Sequence, residues 1–379
     1  MKTGITAGLV LATALAAWAQ TAPPAAPAAP AGPDPRVKPG AVITVEYPDM
    51  GKSLAYDTPR MVIYIPSNYD PARKHPLFLW YNGGAGAPGV GEAMQMTGEK
   101  DFVCVSLSLF KPNPPTPEQR KVDKWAGLYL ESPDGPFNWE RHTKMLADLH
   151  RMVPNLHEEL CIAGGFSNGA HIIAYLLNTS KGEFQQQFKA FLFCEGGHQL
   201  SQFKAVTGRP LMIVWGEKSQ VAGALKGMVT SAKAAKAVLE TFEMSGVGHD
   251  MPKVHWPRFG QWVREAALPS LLRMELDKAG LLLRQNDNAG ALHLIIDLEQ
   301  AGVASLAADI AKLREAVEKR ATNTLETIMR AKTATEKARQ NKIKRLEEFI
   351  PAWTGTAAAT EADKALAALK AETPAAAGG

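Results

Sequence analysis

The chain has 379 residues, 46% of them hydrophobic and 21% charged, and carries a formal net charge of +4. Those proportions are globular, with room for one large domain and a smaller one. So small a positive excess, with no RNA or DNA motif beside it, excludes nucleic acid as the expected partner, and an odd count of three cysteines excludes a disulfide scaffold.

The amino end carries Lys2, an apolar segment over residues 5–17 and the small-x-small triplet Ala17-Trp18-Ala19 before Gln20. That is the pattern of a cleaved export signal over 1–19. The apolar run is shorter than the roughly 20 residues that span a bilayer, so no stable membrane insertion is expected after cleavage and the protein is expected to be exported, periplasmic or secreted. Residues 20–40 are rich in Pro and Ala and read as an extended linker. Strand-like sequence begins at 41–47 (A-V-I-T-V-E-Y) and 61–66 (M-V-I-Y-I-P). After a turn at 67–71, residues 76–81 (P-L-F-L-W-Y) form a continuous apolar strand that runs into Asn82-Gly83-Gly84-Ala85-Gly86, by composition a glycine-rich turn. Residues 101–109 are the next strand. The long Pro-rich connection 111–139 holds Trp125, Tyr129 and Phe137, and a loop of that length beyond a strand's carboxyl end is expected to face the substrate. Residues 140–153 space Met145, Leu146, Leu149 and Met152 as one face of a helix.

The stretch 160–177, L-C-I-A-G-G-F-S-N-G-A-H-I-I-A-Y-L-L, reads as strand, sharp turn and helix. In such a turn Ser167 is forced into strained backbone geometry, and Gly165 and Gly169 are required because a Cβ at either place would collide with the strand or the helix. The hydroxyl then stands at the top of the sheet, beside the free N–H groups and positive end of a helix. Beyond it, 188–194, 210–215 and 237–244 are further strands, and alternating strands and helices predict a doubly wound, mostly parallel α/β sheet. Cys104, Cys161 and Cys194 fall inside predicted buried strands, which points to buried free thiols and supplies neither a metal site nor a redox motif.

Through G-x-S-N-G in this setting, residues 42–267 resemble the α/β-hydrolase family, in particular its secreted esterase and polyester-depolymerase-like branch. The resemblance implies an α/β-hydrolase domain over 41–267 that uses Ser167 as nucleophile, with no metal and no organic cofactor. It places the oxyanion donors at the backbone of Asn168 and of Gly84, with Gly83 as the alternative, in a loop where Asn82 stands for the family's histidine. A serine needs a base, and His249, in the glycine-flexed loop Gly246-Val247-Gly248-His249 after the last strand, takes the family's position; His171, His198 and His255 compete less well. The acid departs from the pattern, because the family's aspartate position is Ser219. Glu195, directly after the strand ending at Cys194, is the preferred replacement and Glu217 the alternative; Asp250 is adjacent to the histidine and is expected to point elsewhere.

Beyond 267 the pattern is helical alone. Residues 268–285 and 291–300 carry apolar residues at three- and four-residue steps, with a turn at 286–290, and resemble a single tetratricopeptide-type hairpin. Residues 303–348 read as one longer helical stretch, so a C-terminal helical region is expected over 268–349 and an Ala-rich short helix and tail over 350–379. Its charges are expected to be a solvated face, with a surface for a protein partner as the second reading. Two functions follow: a serine hydrolase acting on a small-molecule or polymeric ester, or a catalytically impaired protein of the same fold serving as a binding scaffold in the cell envelope.

Overall fold

Apolar, β-branched and aromatic runs form eight strands: β1 (Val42–Glu46), β2 (Arg60–Tyr64), β3 (His75–Tyr81), β4 (Val103–Leu107), β5 (Leu156–Phe166), β6 (Ala190–Cys194), β7 (Pro210–Gly216) and β8 (Val238–Met244). The computed structural model describes residues 34–122, 127–302 and 304–371. The expected export signal, most of the linker, Trp125 and the tail 373–379 lie outside the described residues. Among the described residues the strands make one sheet of order β1-β2-β4-β3-β5-β6-β7-β8. Only the β1–β2 and β2–β4 pairs are antiparallel; β4 through β8 pair in parallel.

Helices connect and cover the strands: α1 (Gly91–Thr97), α2 (Pro117–Val122), α3 (Asp134–Met152), α4 (Asn168–Thr179), α5 (Glu183–Gln187), α6 (Ala222–Ala234) and α7 (Trp256–Gln261). A π-helical turn (Trp262–Ala267) leads into α8 (Leu268–Arg284), α9 (Asn288–Ala301), α10 (Ala307–Met329), α11 (Glu336–Ala352) and α12 (Ala357–Ala371).

Side chains alternate along a strand, so Leu77, Leu79 and Tyr81 of β3 enter one core while Phe78 and Trp80 enter the other. Being buried on both faces is why the central strands read as unbroken apolar runs. The first core is closed by α3, α4 and α6 through residues such as Leu149, Ile173 and Leu225. The second is closed by α1 and α7 and runs on without interruption through Leu276, Ile295, Val317 and Leu346 to Ala362, so the C-terminal helices are built onto that sheet face. Cys104, Cys161 and Cys194 are buried as free thiols. Among the described residues no helix is long and apolar enough to cross a membrane.

Three expectations about local structure are corrected. The connection 111–139 is not all loop, since it holds α2 and the first turns of α3. The helical stretch 303–348 is broken after Met329 and restarts at Thr335, whose hydroxyl accepts the Ala338 N–H at 3.2 Å. The described end of the expected linker belongs to the fold: Gly40 donates its N–H to the Ile65 carbonyl at 3.0 Å and Val37 packs against the first core.

Parallel pairing sets Tyr81 beside Gly165, Phe166 beside Cys194 and Gly216 beside Met244. The parallel strands, β4 among them, therefore end at one edge, and the residues that follow them are delivered there together.

Candidate active site

Ser167 stands between β5 and α4 with φ 52° and ψ −116°, a conformation that L-residues rarely adopt. What holds it is the close approach of three backbones. A Cβ on Gly165 would lie 2.4 Å from the Gly169 carbonyl group, and one on Gly169 would lie 2.0 Å from the Tyr81 oxygen at the end of β3. The main-chain N–H of Ser167 donates to the Cys194 carbonyl at 2.8 Å, which ties the turn to β6.

This elbow sits at the carboxyl edge of a parallel sheet in which β3 lies between β4 and β5 and the first two strands run antiparallel. The fold is of the α/β-hydrolase type.

From that elbow Ser167 Oγ lies 2.8 Å from Nε2 of His249, and Nδ1 of the same ring lies 3.0 Å from Oε2 of Glu195. A carboxylate can only accept, so the ring proton belongs on Nδ1 and Nε2 is left to accept from the serine. Glu195 is completely buried and turns inward from β6 with φ 56°. Its main-chain N–H donates to the Val214 carbonyl at 2.9 Å, the Gly216 N–H donates to Oε1, and the Ser219 hydroxyl donates to Oε2.

Glu217 makes no contact with the imidazole. Its carboxylate is exposed and accepts from the Gly246 N–H at 2.7 Å and the Ser245 hydroxyl at 3.1 Å, which hold it below the usual carboxylate range, the Gly246 bond most strongly. It thus anchors the loop that carries His249. The loop is seated against β7, where a Cβ on Gly216 would lie 2.2 Å from the Gly248 oxygen, and the His249 ring packs on Phe166 at 5.6 Å. Asp250 accepts from the Met251 N–H instead of the histidine.

Asn168 contributes more than a main-chain N–H. Its buried side chain donates to the carbonyls of Gly84 and Leu128, both at 2.8 Å, and accepts the Leu130 N–H at 3.0 Å. One amide thus clamps the glycine loop and the β4–β5 connection to the residue after the serine. Among the described residues, the main-chain N–H groups of Asn168 and Gly84 donate to no protein acceptor. Asn82 shapes that loop by donating to the Ala87 carbonyl at 2.8 Å while accepting the Trp80 indole N–H at 3.0 Å. A Cβ on Gly83 would strike the Phe166 ring.

The remaining histidines are structural neighbours. His171 accepts the Gly197 N–H at 3.0 Å and meets His198 edge-on at 5.1 Å; burial, and then the His198 charge, push it down to about 4. His255 packs edge-on against Phe242 at 5.4 Å. Sequence reasoning missed two parts, the Asn168 clamp and the Ser219 donor. The signals were present: a polar side chain opening an apolar helix, and a serine where a carboxylate was expected.

Neither a protein-family model nor a curated protein sequence matches the chain. Similar solved structures are esterases and hydrolases at low identity. A ferulic acid esterase from Anaeromyces mucronatus is 15% identical over 63% of this chain and 94% of its own, with a TM-score of 0.40. An S-formylglutathione hydrolase from Agrobacterium tumefaciens is 14% identical over 60% of this chain and 96% of its own, with a TM-score of 0.42. A candidate dipeptidyl aminopeptidase IV from Bacteroides ovatus is 13% identical over 59% of this chain but only 35% of its own, with a TM-score of 0.41. The strand order and the elbow, rather than these likenesses, define the fold.

Proposed function

We propose that the protein is an exported serine hydrolase that cleaves carboxylic esters. The observation that carries this reading is the unbroken hydrogen-bonded line from Ser167 through His249 to buried Glu195. In it Ser167 Oγ attacks the ester carbonyl carbon as its proton passes to Nε2 of His249. The carbonyl oxygen becomes an oxyanion that receives the N–H groups of Asn168 and Gly84. Collapse breaks the bond to the leaving alkoxide, which takes the proton back from Nε2 and departs as an alcohol. Water then repeats the sequence on the acyl-serine, releasing the acid and restoring Ser167. Glu195 keeps the ring in the tautomer that can do this and offsets the charge of the imidazolium; loss of such an acid costs about four orders of magnitude in a serine protease. Export is supported by Lys2, the apolar run and the Ala17-Trp18-Ala19 triplet.

A fluorophosphonate probe tests the reading on protein recovered outside the cytoplasm. The expected result is covalent labelling of a chain that starts at Gln20, absent in Ser167→Ala. No labelling at a dose that saturates a control esterase refutes the hydrolase and favours the scaffold; an intact Met1 refutes export.

A further inference from the structure

Glu195 is a fully buried carboxylate, so the groups that meet its lone pairs decide which way it faces. Three donors reach it: the Gly216 N–H at Oε1, and the Ser219 hydroxyl and His249 Nδ1–H together at Oε2. The serine is itself fixed. Its Oγ accepts the Val221 N–H at 3.3 Å, its main-chain N–H donates to the Gly216 carbonyl at 3.0 Å, and its carbonyl accepts the Ala222 N–H at 3.1 Å. With an N–H already at Oγ, the hydroxyl proton is directed at the carboxylate. Ser219 is 8% exposed, and its hydroxyl meets the same carboxylate oxygen that faces His249.

We propose that Ser219 is a positioning residue, whose hydroxyl fixes the buried Glu195 carboxylate so that Oε2 faces His249 Nδ1. The absence of an aspartate at 219 is then no loss of the acid, since the acid has moved to the end of β6 and the β7 position has become its clamp. With the hydroxyl gone, one carboxylate oxygen keeps only the histidine, and the side chain can turn about its terminal bond toward Gly216.

The kinetic arm of the test rests on the hydrolase reading. On an aryl acetate, Ser219→Ala is expected to lower kcat about 10- to 100-fold with KM little changed, the range for one hydrogen bond to a charged group. The second arm is independent of turnover: a downfield proton resonance of His249 Nδ1–H is expected in the wild type, and in Ser219→Ala it is expected to move upfield and broaden. Should the alanine variant fail to fold, Ser219→Cys keeps the volume with a weaker donor and should move both readouts the same way. A folded variant with wild-type kcat and an unmoved resonance overturns the proposal. A wild type that the fluorophosphonate leaves unlabelled sinks the hydrolase reading instead, and the proton resonance still decides the role of Ser219.

Discussion

Replacing Asn168 by aspartate changes one NH2 group to oxygen and separates the clamp from the shape of the side chain. The two carbonyl partners and one N–H partner fix which end of the amide is nitrogen. In Asn168→Asp the Leu130 N–H keeps its acceptor, but an oxygen now stands 2.8 Å from both the Gly84 and Leu128 carbonyls and can donate to neither. Each lost bond is worth about 1 kcal/mol net, and a buried carbonyl left unpaired costs about 1–3 kcal/mol more. Leu128 is buried, whereas the Gly84 loop can regain water. A charge at the start of α4 gains back only about 0.3–1 kcal/mol from the helix dipole. The expected loss is about 2–5 kcal/mol, with two carbonyls left facing a carboxylate. Turnover should suffer beyond stability, because the freed loop carries the Gly84 N–H; losing one oxyanion donor costs about 100- to 1,000-fold in kcat, and a loosened one should cost less than that. Urea unfolding and aryl acetate hydrolysis on the folded variants measure both. An Asn168→Asp protein as stable as the wild type, or equally active, would refute this reasoning.

Two further outcomes follow from the same geometry. Glu195→Gln should lower kcat by about 1,000-fold or more, because an amide can present a donor to Nδ1, while Glu217→Ala should cost less than about 10-fold by loosening the histidine loop; kinetics that rank the two in reverse order would reassign the acid. Acid stability is set in part by histidines that burial holds neutral: His142, bonded to the Tyr81 hydroxyl and the Ser108 carbonyl, is pushed down to about 4, as are His157 and His171. Their folded values lie below the unfolded 6.5, so the unfolded chain binds more protons between these limits; the stability is complete above pH 6.5 and is lost as pH falls toward 4, by about 3 kcal/mol per group. Unfolding free energies measured at pH 7 and pH 4.5 should therefore differ less in His142→Gln than in the wild type, and an equal difference would contradict the assignment.

The sheet was legible because its central strands are short apolar runs rich in β-branched and aromatic residues and bounded by turn residues, too short for helices. Glycine and proline misled where they sit in helices. Pro117 opens α2, where its missing N–H has no partner to lose, and Asp134-Gly135-Pro136 is the first turn of α3. Gly135 is there because a Cβ would lie 2.5 Å from the Thr179 hydroxyl of α4, a packing contact that no local pattern announces. The break before α11 did carry a signal, since Thr335 precedes Glu336-Lys337-Ala338 as a capping residue should, but the surrounding Lys, Arg and Glu run hid it.

In the site, the elbow and histidine were legible because each needs glycines that sequence displays, at 165 and 169 for the serine and at 246 and 248 for the loop. For the acid the sequence supported a preference for Glu195 but left Glu217 open, because that choice turns on direction rather than composition. Both follow a strand that ends at the same edge; one backbone turns left-handed and sends its carboxylate inward beneath the ring, while the other stays exposed and holds the loop from outside. Ser219 shows the same thing: alone it is an acid position without an acid, and beside the neighbouring strand it is a donor to the Glu195 carboxylate. A catalytic position in such a sheet is a property of the edge, shared among adjacent strand ends, so a residue missing from one strand has to be sought on the next before its absence is counted against activity.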